Sequence, residues 1–233
     1  MRYLFCLILW LWPFALVAQD SSALVWEDQQ LFHGAGYDPD AVEPGQQFRI
    51  LSSTDTSFFA PIIASYLLDH PRTSVEYLVA GTAEIDRIFR DSPRGFDLVI
   101  SSAMDLQFKL TNDGYAQPIS DLSTPEWAQW RHSLFAFTVE PAAIVINRAA
   151  FAGQALPQTR QELIEALRAR PAVFRNRLGT YDIRQSGLGY LFAPQDARAS
   201  ETYWRLMEVM GNLDTRLYCC SGEMIDDLAS GEI

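Results

Sequence analysis

Three short segments collect hydroxyl and carboxylate groups where the pattern turns from strand to helix. They are Ser53-Thr54-Asp55, Ser101-Ser102, and the stretch from Thr180-Tyr181-Asp182 to Ser186-Gly187. Backbone N–H groups at a helix start lack intrahelical partners and carry the positive end of the helix dipole. Hydroxyls beside them therefore make a donor-rich surface suited to a carboxylate or a phosphate. Ser, Thr and Asp are also the ordinary residues of N-caps and turns, so a single loop has a purely structural reading. Three such loops in equivalent positions favour binding. The expected contacts are Ser53, Thr54, Ser101, Ser102, Tyr181, Ser186 and Gly187 as hydroxyl and N–H donors. Asp55 is expected to face a ligand hydroxyl or to cap its own helix.

Catalysis finds less support. The three histidines, His33, His70 and His132, form no metal-spaced pair, and no HExxH, GxSxG, Walker or GxGxxG pattern occurs. Asp105, Glu126 and Glu140 are isolated carboxylates, which are more often caps or solvated side chains. No nucleophile–base pair can be named, and no catalytic residue, metal site or cofactor is expected. A secreted α/β hydrolase using a loop serine is the alternative from another functional class.

The elements that must position these loops alternate. Gln47 to Ser52, Val75 to Val79 and Phe96 to Ile100 read as strands, and Phe58 to Leu68, Thr82 to Phe89 and Met104 to Asn112 as helices. Gly114 follows the last of these as a left-handed C-cap. Near-continuous apolar strands alternating with helices predict a mostly parallel sheet covered on both faces, with ligands bound beyond the carboxyl ends of its strands. Leu134 to Val139 and Ala142 to Ile146 are predicted as extended connectors between lobes. Beyond them come a helix from Thr159 to Ala169 with Thr159 and Glu162 as a capping box, a strand from Leu178 to Tyr181, a helix from Ala197 to Met210, and one from Ser221 to Ala229 capped by Ser221.

The N-terminus sets the compartment. Arg2 precedes an apolar run from Tyr3 to Val17, closed by Ala18, Gln19 and Asp20. The run is short of the roughly 20 apolar residues of a membrane span, so it reads as a signal peptide cleaved after Ala18 and implies export to the periplasm. Gln19 to Gln46 has no clear period and reads as a leader ahead of the first core strand. With 29 acidic against 18 basic residues and a formal charge of −11, a nucleic-acid partner is not expected. Outside the signal, only Cys219 and Cys220 remain, too few for a disulfide framework. They could close a ring between neighbours or stay as two small buried thiols.

The run SSAMDLQFKLTNDGYAQPIS, Ser101 to Ser120, resembles bacterial extracellular solute-binding proteins related to the ferric-iron type, in a branch similar to phosphoglycerate transport regulatory proteins. RILSSTDTSFFAPIIASYL from Arg49, EPAAIVINRAAF from Glu140 and GTYDIRQSGLGYLFAPQD from Gly179 support it. The resemblance implies a type II periplasmic-binding-protein fold of two α/β lobes: lobe 1 over 47–141, a hinge strand over 142–147 and lobe 2 over 148–233. It implies capture of a small anionic metabolite, phosphorylated or carboxylated, by a monomer that serves an ABC permease or a sensor histidine kinase. Ferric iron is the alternative within the family, although the adjacent tyrosine pair of iron-binding members does not occur here. The resemblance also implies that Ile233 stops the chain before a second hinge strand and a return to lobe 1.

Overall fold

A computed structural model describes residues 26–41, 43 and 46–233; the predicted signal peptide over 1–18 lies outside them. The first lobe is built on strands β1 (Asp28–His33), β2 (Gln47–Ser52), β3 (Ser74–Val79) and β4 (Leu98–Ile100). They form one sheet in the order β1-β3-β2-β4, with β2 parallel to both β3 and β4. The register sets Ser52 opposite both Val79 and Ile100, so all three parallel strands end along one edge.

Helices cover both faces, as a continuous apolar strand such as SVEYLV requires. Val75, Tyr77 and Val79 of β3 point to one face, where Ile63 and Leu67 of helix α1 (Thr56–Asp69) meet them. Leu78 points to the other, joining Leu51, Ile85, Ile88, Phe89 and Leu110 under helices α2 (Thr82–Asp91) and α3 (Met104–Asn112). The expected apolar face of α1 is divided. Phe59, Ile63 and Leu67 turn inward, whereas Ile62 and Tyr66 stay exposed with Phe58.

The leader is more ordered than its composition predicts. Its segment DQQLFH forms β1, an antiparallel edge strand on β3 with Asp28 opposite Val79 and His33 opposite Ser74. Tolerance of polar side chains is ordinary at a sheet edge, where one face is open to water. The predicted connector strands are also corrected. Only Leu134–Phe135 (β6) pairs, with Gln129–Trp130 (β5), and no strand covers 142–147. Strand pairing needs a neighbour for alternate N–H and C=O groups. Among the described residues 137–145 have none, and Phe137, Val139, Ile144 and Val145 are all more than half exposed.

The second lobe holds its own core of Phe151, Ile164, Leu167, Phe174, Leu206, Val209 and Leu213. Helices α4 (Arg160–Ala169), α5 (Pro171–Phe174) and α7 (Thr202–Asn212) supply most of it. Thr159 caps α4 by accepting from Glu162 N at 3.1 Å, and Glu162 returns a bond to Gln158 N, one residue before the expected capping-box partner. Strands β7 (Gly179–Tyr181) and β8 (Arg216–Tyr218) run parallel, with Tyr181 opposite Tyr218. Between them the predicted helix over 197–210 is two helices, α6 (Gly187–Ala199) and α7. The final helix α8 (Ser221–Ser230) takes Cys220 as its N-cap, not Ser221.

Candidate functional site

The loops after β2 and β4 are knitted together at the carboxyl edge of the first sheet. Ser53 N donates to Ile100 O at 3.0 Å, and Ser102 N donates to Ser53 Oγ at 3.3 Å. Ser52 Oγ accepts from Thr54 N at 3.0 Å and is hydrogen-bonded to the Tyr77 hydroxyl at 2.7 Å, which also donates to Thr54 O at 2.9 Å. Burial pushes the Tyr77 phenol up to about 12; the Ser52 hydrogen bond opposes the shift and the Asp55 charge adds to it. Tyr77 is thus a neutral strut that fixes the Ser52–Thr54 turn. Ser53, Thr54, Ser101 and Ser102 come together at this edge, each partly open to solvent.

The helices that start along this edge carry no side-chain cap, as is also true of α5, α7 and α8. The N-caps of α1, α2 and α3 are Asp55, Gly81 and Ala103, and none makes a side-chain capping bond. Asp55 is exposed and does not cap its helix. By contrast Thr159 caps α4 and Ser186 caps α6. Some first-turn N–H groups of these helices therefore remain for water or a ligand near the same serines, although Met104 N donates to Ser102 O at 2.9 Å and Gly187 packs against Ala83 N.

The third loop has a different use. Asp182, 4% exposed, accepts from Arg184 Nε at 2.8 Å, Arg184 Nη2 at 2.6 Å and Arg184 N at 3.0 Å. These bonds hold its carboxyl down at about 2, the Arg184 side chain contributing most. Ser186 is buried and accepts from Gly189 N at 3.0 Å. A Cβ on Gly187 would stand 3.2 Å from Ala103 Cβ, Ala83 N and Thr82 C, and Leu188 N donates to Thr82 Oγ1 at 3.2 Å across the lobes. Ser186 and Gly187, expected as ligand donors, serve as a helix cap and as the point where α6 meets α2 and α3, and both also line the smaller of two cavities. Tyr181 faces its own lobe, donating to Ser221 Oγ at 3.2 Å.

Two features of the site are not predicted by the sequence pattern. Because β1 runs antiparallel, its start lies at the carboxyl edge of β3, and Glu27 N donates to Val79 O at 2.9 Å. Glu27 is exposed as a residue, yet its carboxyl is shielded on one side. Burial, then the charges of Asp55 and Glu84, push its pKa up. Across from it Cys219 and Cys220 are joined in a disulfide, neither of them buried. Glu27, Gly81, Glu84, Arg184 and the two cysteines border a cavity of about 380 Å³ between the lobes. A neighbouring cavity of about 280 Å³ is lined by Ala83, Asp86, Asp105, Gly187 and Tyr190 among others, and one carboxylate oxygen each of Asp86 and Asp105 is buried there without a partner.

The histidines sit elsewhere. His33 stacks on Tyr37 at the opposite edge of the sheet, opposite Ser74, and His70 stacks on Tyr66 at the end of α1. Neither is placed to activate a loop serine. Among the described residues no group of three His, Cys, Asp or Glu could hold a metal ion.

Among solved structures, the substrate-binding protein of an ABC transporter from Agrobacterium tumefaciens matches with a TM-score of 0.80 and 33% sequence identity. The match covers 88% of this chain and 62% of that one. The fold is that of a periplasmic binding protein. No family model matches the sequence, and no curated protein matches it. In a periplasmic-binding fold the carboxyl edges of the lobe sheets flank the ligand cleft. Ser53, Thr54, Asp55, Ser101 and Ser102 sit on that edge in lobe 1, and Tyr181, Cys219 and Cys220 in lobe 2. The chain spans less than two thirds of the length of its solved neighbour.

Proposed function

We propose that the chain is a non-catalytic solute-binding protein of the ABC-transporter type, which captures a small hydroxylated anion, phosphorylated or carboxylated, between two lobes. The observation that carries this reading is the set of three helix starts at one sheet edge, α1, α2 and α3, left without side-chain caps beside Ser53, Thr54, Ser101 and Ser102. Their N–H groups and hydroxyls are donors for the anionic group. Asp55 and Glu27 can only accept while ionised, and so suit hydroxyls on the same solute. The lobes divide at 47–141 and 148–233 about a connector at 142–147, with β1 added to the first. The protein is exported to the periplasm as a monomer and delivers its solute to a permease or a sensor histidine kinase, in line with the phosphoglycerate-regulatory branch that its sequence resembles.

The test is a thermal-shift screen against organic phosphates, hydroxycarboxylates, neutral sugars and ferric iron. A ligand at 100 times its Kd stabilises the folded state by about 2.7 kcal/mol. A shift with one organic phosphate or hydroxycarboxylate is the expected result. A shift with iron only, or with no anion, overturns the reading.

A further inference from the structure

The Cys219–Cys220 disulfide follows directly on β8, at the wall of the larger cavity that faces lobe 1. Cys220 is also the N-cap from which α8 starts. Its Sγ lies 3.8 Å from Glu27 Oε1, a contact between residues 193 positions apart that joins the two lobes. The same Glu27 oxygen is 3.4 Å from where a Cβ on Gly81 would stand, so the carboxyl is held between the start of α2 and the disulfide. Among the described residues Glu27 has no salt bridge, while Asp55 and Glu84 crowd it with negative charge. A disulfide sulfur carries no proton and turns only lone pairs toward this carboxylate. A thiol in the same place is a donor, and a bond to a charged acceptor is the stronger kind.

We propose that Cys219–Cys220 is a redox latch on lobe closure: oxidised, the pair leaves Glu27 without a donor across the cleft; reduced, Cys220 donates its thiol proton to Glu27 and fastens the lobes together. Cys219 is exposed and Cys220 only partly so. A dithiol reductant therefore attacks Cys219 Sγ, forming a mixed disulfide, and Cys220 Sγ leaves and takes up a proton. The reductant's second thiol then attacks its own bonded sulfur and releases Cys219 as a thiol. Two electrons and two protons pass to the protein, and the dithiol departs as a cyclic disulfide. The latch acts on the contact between lobes and needs no solute, so it stands or falls separately from the proposed ligand.

The experiment is amide hydrogen exchange on the full chain, oxidised and after reduction with dithiothreitol, read at Leu188, whose N–H bonds across the lobes to Thr82 Oγ1. Reduction is expected to slow Leu188 exchange by about two- to tenfold, the scale of one added hydrogen bond. Titratable thiols should rise by two, from the single thiol of Cys6 to three in the full chain. Glu27→Ala should lose the redox difference while keeping the thiol count. The double variant Cys219→Ala/Cys220→Ser, with a permanent hydroxyl donor, should exchange slowly with or without reductant. Equal rates in both redox states of the unmodified chain overturn the latch, as do a redox difference that survives in Glu27→Ala and more than one thiol, that of Cys6, titrating before any reductant is added.

Discussion

The β2–α1 and β4–α3 loops of lobe 1 and the β7–α6 loop of lobe 2 have the same hydroxyl-and-carboxylate composition but opposite uses. In lobe 1 the serines bond to neighbouring loop N–H groups and leave the helix starts open. In lobe 2 Ser186 closes its helix start, and Asp182 is saturated by Arg184. Loop composition thus does not distinguish a binding surface from a structural joint. What decides is whether the side-chain oxygen reaches the N3 amide of its own helix, as Ser186 does, or sits too early in the loop to do so, as Ser53 and Ser101 do.

The largest expected effect falls on the joint. In Gly187→Val the added carbons meet Ala103 and the backbone of Thr82 and Ala83. The overpacking should cost about 1–3 kcal/mol of lobe contact and appear as faster exchange at Leu188. Second, Ser186→Ala should lose about 1 kcal/mol of stability in denaturant unfolding through the lost cap. Ser101→Ala should leave stability nearly unchanged and weaken solute capture; equal stability losses in the two variants would erase the contrast between the lobes.

Acid titration separates the two carboxyls. Asp182 is held below its ordinary value, so its contribution to stability is present above the unfolded-state pKa and is lost as pH falls through about 2. Glu27 is raised, so its protonated form is favoured in the folded state, and stability falls as pH rises from the ordinary glutamate value through the raised one. In thermal unfolding followed against pH, Asp182→Asn should remove the acid-side loss, and Glu27→Gln should flatten the decline above the ordinary glutamate range. The smallest expected effect is at Asp105. One of its oxygens is buried without a partner, and Asp105→Ala, which removes that unsatisfied acceptor, should stabilise the chain slightly, read as a small rise in Tm.

Where local signals suffice, the sequence is legible to the residue. β2 begins and ends where QFRILS does, and α3 spans Met104–Asn112 as its periodicity and Gly114, at φ 86°, predict. The misses have a common cause in contacts from far along the chain. β1 is mostly polar and becomes a strand only because β3 offers an edge. The first turns of α6 hide behind Gly187, Gly189 and Pro194, residues that usually mark loops, and Ser186 supplies the cap that starts the helix among them. The site follows the same division. Ser53, Thr54, Ser101 and Ser102 can be placed at the sheet edge from the sequence because each follows its own strand. Glu27 escapes because its place depends on β1, and the cysteine pair because its exposure depends on the lobe opposite.

The most direct measurement is an amide chemical-shift titration of the full chain with inorganic phosphate as the anionic probe. The largest shifts are expected at first-turn amides of α1, α2 and α3 such as Thr56, Thr82 and Asp105, with the starts of α4 and α6 unmoved. Shifts spread evenly over the starts of all the described helices, or confined to α4 and α6, would contradict a binding edge in lobe 1.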